Sequence, residues 1–155
     1  MKLNRKVKSF TLSEMVVVLI LTSIVVGLAF SVLTLVQKQM SAIQLNYQKN
    51  LTINKLETAL WLDFSNSSKV NYDNLNNELK FSSEVDSTTY KFVDNFIVRG
   101  SDTFSVNTQS KKLYLQGEIK ESGTVDALKI EFSKDYQGQK LFIFKTNDAA
   151  IFMND

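Results

Sequence analysis

The chain has no cysteine and no histidine, and among its 155 residues there is one tryptophan. The absence of cysteine excludes a disulfide framework and a thiolate metal site. The absence of histidine removes the commonest general base and metal ligand, which argues against a hydrolytic enzyme. The chain is not strongly basic either. Its formal charge is +2, but four of the 18 basic residues are Lys2, Arg5, Lys6 and Lys8, and from Phe10 onward 14 basic residues face 16 acidic ones, a net −2. Charge alone therefore marks no nucleic-acid footprint. One further absence is local: no residue from Met15 to Gln37 carries a formal charge.

That uncharged stretch is occupied by an apolar run opening Met15-Val16-Val17-Val18-Leu19-Ile20. Roughly 23 residues at about 1.5 Å each span a hydrocarbon core of about 30 Å, so the run reads as a membrane helix. The cations before it outnumber Lys38, the first cation after it, which places the amino terminus in the cytoplasm and exports the carboxy-terminal part of the chain. Glu14 stands where the run begins. A carboxylate there costs a few kcal/mol unless it finds a partner, so it is a functional candidate by default.

The order of features is specific. A basic leader, the small residue Ser9, then Phe10-Thr11-Leu12-Ser13-Glu14 and a β-branched apolar helix resemble the class III signal of type IV pilins and of the pseudopilins of type II secretion systems. The resemblance implies that prepilin peptidase cuts between Ser9 and Phe10 and methylates the new amine of Phe10. Glu14, fifth in the mature chain, would then pair with the terminal amine of a neighbouring subunit and set axial register in a filament; stranding either charge would be costly. Two departures from the common pattern, Ser9 in place of Gly and Ser31 where many major pilins have proline, fit a minor subunit better than a major one. Two plainer readings compete. Ala29-Phe30-Ser31 offers an ordinary signal peptidase a cut after Ser31, and the helix could be an uncleaved anchor; both leave Glu14 without a role.

The remaining chain divides simply: a leader at 1–9, a transmembrane helix at 10–37, and an exported globular domain at 38–155, about 118 residues and enough for one modest core. Lacking cysteine, that domain must be held by its core. The apolar stripe Leu33, Val36, Met40, Ile43, Tyr47, Leu51 advances by threes and fours and resumes by fours at Leu56, Leu60 and Phe64, predicting one helix from about Thr11 to Asp63, roughly 80 Å long, with the domain's amphipathic part reaching about residue 64. Trp61 beside the stripe is expected in the core. Beyond Lys69 the period falls to two. Leu79-Lys80-Phe81 reads as a strand, Tyr90–Phe92 and Phe96–Val98 as a hairpin about Asp94-Asn95, and further strands are expected at Thr103–Val106, Lys112–Ile119, Leu128–Phe132 and Lys140–Lys145. The expected fold is α+β and pilin-like, one long helix packed on a carboxy-terminal antiparallel sheet. Within it, Leu60–Phe64, Leu79–Phe81, Thr89–Asp94 and Ile97-Val98-Arg99 resemble the J-type minor pseudopilin.

Two other groupings bear on chemistry. Asp73, Asn74, Asn77 and Glu78 are oxygen-rich, but lack the glycine and alternating spacing of a calcium loop, so a solvated turn is favoured. Lys111, Lys112, Lys129, Lys134, Lys140 and Lys145 interleave with Tyr114, Phe132, Tyr136, Phe142 and Phe144. That alternation suits a DNA-contact face, yet any half-buried sheet shows it, and no nucleic-acid partner is favoured. No cofactor or metal is expected. The expected role is structural rather than enzymatic: a minor pseudopilin assembling with other minor and major pilins or pseudopilins on an inner-membrane platform, to build or prime a type II secretion pseudopilus. The alternative is a minor subunit of a type IV or competence pilus serving as tip adhesin or DNA-binding module. A secreted enzyme comes last.

Overall fold

The computed structural model describes residues 11–145, in two compact units, one ending at Leu45 and the other beginning at Asn46. A single helix, α1, spans Leu12–Asn66. In the first unit it is bare. Every described residue up to Leu45 is exposed, including Phe30, Leu33 and Val36.

In the second unit α1 buries Ile53, Leu56, Leu60 and Phe64, a three-four-four spacing that keeps one face on the domain. The stripe predicted from sequence is thus buried only at its end: Met40, Ile43 and Tyr47 are exposed, and Ile53 joins the face. Trp61 corrects a second expectation. It follows Leu60 by one position, about 100° around the helix, and is 58% exposed. The helix closes as Ser67 N–H bonds the Asp63 carbonyl at 3.1 Å.

Ten strands complete the described chain: β1 Lys69–Asp73, β2 Glu78–Ser82, β3 Ser87–Val93, β4 Phe96–Arg99, β5 Asp102–Phe104, β6 Thr108–Leu115, β7 Glu118–Lys120, β8 Gly123–Thr124, β9 Ala127–Phe132 and β10 Lys140–Phe144. They form two antiparallel sheets rather than one. The first has the order β5-β4-β3-β2-β1-β8, the second β10-β9-β6-β7. The hairpin about Asp94-Asn95 is present, with Val93 opposite Phe96. The strand expected over Lys112–Ile119 is instead two. Gln116 and Gly117 take φ of 54° and 86°, which reverses the chain so that Leu115 pairs with Glu118. β1 and β8 are strands that the sequence period does not predict.

Both sheets supply the core. Phe64 meets Phe81 edge-on at 4.9 Å and Phe81 meets Tyr90 at 5.3 Å, while Leu113, Leu128, Ile130, Phe132, Leu141 and Ile143 join from the second sheet. Aromatic pairs in that geometry add about 1 kcal/mol each to the burial itself.

Candidate functional site

The beginning of α1 is a capping box, a pattern legible in Thr11-Leu12-Ser13-Glu14 but not foreseen. Helices leave their first N–H groups without partners, and a Thr-x-x-Glu sequence satisfies them reciprocally. Glu14 Oε2 accepts the Thr11 backbone N–H at 2.9 Å and the Thr11 hydroxyl at 2.9 Å, and Thr11 Oγ1 accepts the Glu14 N–H at 3.4 Å. Glu14 therefore has a local partner even without a second subunit. The box fixes its carboxylate beside the backbone of the residue next to Phe10. Ser9 and Phe10 lie outside the described residues.

After the box, an 18-residue window of α1 reaches a mean hydropathy of 2.8 with none of it buried, long and apolar enough to cross a membrane. Three of its hydroxyls bond within the helix: Thr22 donates to the Val18 carbonyl at 2.9 Å, Ser23 to Leu19 at 2.7 Å and Thr34 to Phe30 at 2.9 Å. Such bonds let polar side chains sit in hydrocarbon without an unpaired donor.

The second unit holds two polar constellations. In the first, Asp63 near the end of α1 accepts Arg99 Nε at 2.7 Å, Arg99 Nη2 at 2.9 Å and the Tyr90 hydroxyl at 2.7 Å. Burial, followed by the Asp63 hydrogen bond and charge, raises the Tyr90 phenol; the Asp63 hydrogen bond holds the guanidinium of Arg99 more firmly charged than usual. These three residues come from segments that the J-type resemblance singled out. Their junction was not foreseen, because it spans 27 and 36 residues of chain.

In the second constellation, Lys111 on β6 lies over Phe92 at 4.1 Å and Tyr72 at 4.3 Å from the ring centres. Its Nζ donates to the Tyr72 hydroxyl at 2.7 Å and to Asn77 Oδ1, and burial pushes its pKa down to about 8. The oxygen-rich cluster is accounted for here and in the β1–β2 turn. Asp73 accepts Leu75 N–H at 2.9 Å and Asn76 Nδ2 at 2.7 Å, Glu78 pairs with Lys91 at 3.3 Å, and Asn77 serves Tyr72 and Lys111. Among the described residues no group of three or more acidic side chains converges for a metal.

The other lysines are largely engaged within the domain. Lys129 and Lys140 share Glu131 at 3.3 and 3.2 Å, which with Ser110 keeps that carboxyl below its usual pKa, and Lys145 bonds the carbonyls of Ser67 and Ser68. The aromatic residues are divided. Phe132 is buried, whereas Phe142 and Phe144 are 56% and 63% exposed, with Tyr114 edge-on to Phe142 at 6.2 Å.

Comparison with known proteins bears on the amino-terminal segment. The family model of the prokaryotic N-terminal methylation motif matches residues 4–30, the stretch holding three of the leader cations, the capping box and the start of the apolar helix. No curated protein and no solved structure matches the chain. The chain carries the motif of type IV pilin-like and pseudopilin proteins, and motif and bare apolar helix together fit a single-pass membrane anchor.

Proposed function

We propose that this chain is a minor pilin or pseudopilin, a structural subunit cut by prepilin peptidase between Ser9 and Phe10, methylated at Phe10, and assembled through its apolar helix. The carrying observation is that the motif at residues 4–30 runs without a break into a helix whose apolar residues from Met15 to Val36 all face outward. Packed helices of other subunits would cover that surface in a filament, and lipid would cover it before assembly. Among the described residues the capping box engages only Oε2 of Glu14, leaving Oε1 for an incoming terminal amine.

The domain boundaries go with this reading: leader to residue 9, membrane helix over 10–37, exported domain from 38, with the amino terminus cytoplasmic. Within the class we favour a type II secretion pseudopilus and the J type, on the resemblance of Leu60–Phe64, Leu79–Phe81, Thr89–Asp94 and Ile97-Val98-Arg99 to that subunit. A pilus-tip binding module is the second reading, favoured by the exposed pair Phe142 and Phe144.

Intact mass and amino-terminal sequencing of the protein from its native membrane test the proposal. The expected chain begins at Phe10 with one added methyl. One beginning at Val32 would be a freely exported domain and would overturn the assembly role. Replacing Glu14 with Ala should abolish co-purification with other pilins while leaving cleavage intact; unchanged assembly would remove the pairing role.

A further inference from the structure

We propose that the Lys111 amine and the Asn77 side-chain amide react to form an intramolecular isopeptide bond, tying the β1–β2 turn of the six-stranded sheet to β6 of the four-stranded sheet. The two groups touch: Lys111 Nζ donates to Asn77 Oδ1, one bond from the amide carbon. The Tyr72 hydroxyl bridges them, accepting from Lys111 Nζ at 2.7 Å and donating to Asn77 Oδ1 at 2.8 Å. Asn77 Nδ2 is held in turn by the Phe92 carbonyl at 2.6 Å, and the Asn77 backbone is fixed at φ 55°.

Burial brings the neutral, nucleophilic amine within reach at mildly alkaline pH. Two aromatic rings strip water from Nζ, and among the described residues no carboxylate forms an ion pair with Lys111. A desolvated cation without a counter-charge is costly, and lysines in such sites shed their proton readily. The depressed pKa of about 8 agrees with that geometry. Tyr72 stays protonated, since burial and the nearby Asp73 charge raise its pKa, so it keeps its donor. Amide formation would remove the charge altogether.

The step balances without an added reactant. The Nζ lone pair attacks Asn77 Cγ and forms the new C–N bond, while the Tyr72 O–H stabilises the negative charge developing on Oδ1. As the tetrahedral centre collapses, one proton of the attacking Nζ is transferred to Nδ2, which becomes the leaving ammonia. The Cγ–Nδ2 bond then breaks, and ammonia leaves into the adjoining cavity of about 380 Å³, which Tyr72, Asn77, Phe92 and Lys111 line.

The test is mass spectrometry of the purified full chain held for several days at mildly alkaline pH. The expected chain is lighter by one ammonia, about 17 Da, and trypsin releases residues 70–80 joined to residues 100–112. Lys111→Arg should give no joined peptide, and Tyr72→Phe, which keeps the ring beneath Nζ, should slow joining by about tenfold or more. Recovery of the two peptides separately from the native chain, or a link from Lys111 to another amide of the cavity, would overturn the proposal. Equal rates for Tyr72→Phe and the native chain would overturn the part assigned to Tyr72.

Discussion

Asp63 accepts three hydrogen bonds from two side chains and is only 12% exposed, so its removal does more than delete a charge. Asp63→Ala leaves a guanidinium and a phenol without their acceptor. It should destabilise the domain by about 3 kcal/mol, read by chemical denaturation of the detergent-solubilised chain. Tyr90→Phe removes one charge-assisted bond and should cost about 1.5 kcal/mol in the same assay. Nothing local in Leu60–Phe64 announces this role, because the partners of Asp63 lie on β3 and β4 and pairing across such distances leaves no periodic trace. Glu14 is the opposite case. Its place at the head of the apolar run is legible directly, and its capping partner is equally present as Thr-x-x-Glu, a pattern overshadowed by the apolar run directly behind it.

At the level of elements, adjacent residues of α1 should behave in opposite ways. Leu60→Ala empties a fully buried site and should cost about 3 kcal/mol, whereas Trp61→Ala should stay within about 0.5 kcal/mol by thermal or chemical melting. Equal costs would mean that the helix sits on the domain with a different face. Sequence period identifies α1 and the hairpin about Asp94-Asn95 well, since both depend on short-range chemistry. It fails at β6 and β7 because the alternating pattern of Lys112–Ile119 continues straight through a reversal that rests on two positive φ angles. Gly117 at φ 86° is the position that requires that conformation. Gly117→Val should therefore loosen the β6–β7 hairpin by about 1 kcal/mol or more, detectable as faster amide exchange in β7.

For the whole molecule, the division of ten strands into two sheets could not be read from the chain, since strand period says which face is buried and not which strand lies beside which. The membrane anchor could be read, because an uncharged apolar run is a property of composition. Its proposed orientation makes a direct prediction: protease added outside cells stripped of their outer barrier should degrade the chain beyond Lys38, and protease added to inverted vesicles should not. The exposed Trp61 has an optical consequence as well. As the chain's single indole, placed 58% in solvent beside the end of α1, it gives the isolated subunit one long-wavelength, readily quenched emission. Any neighbour seated over that end of the domain would turn the emission bluer and shield it from iodide, so the protein carries its own dye for watching assembly.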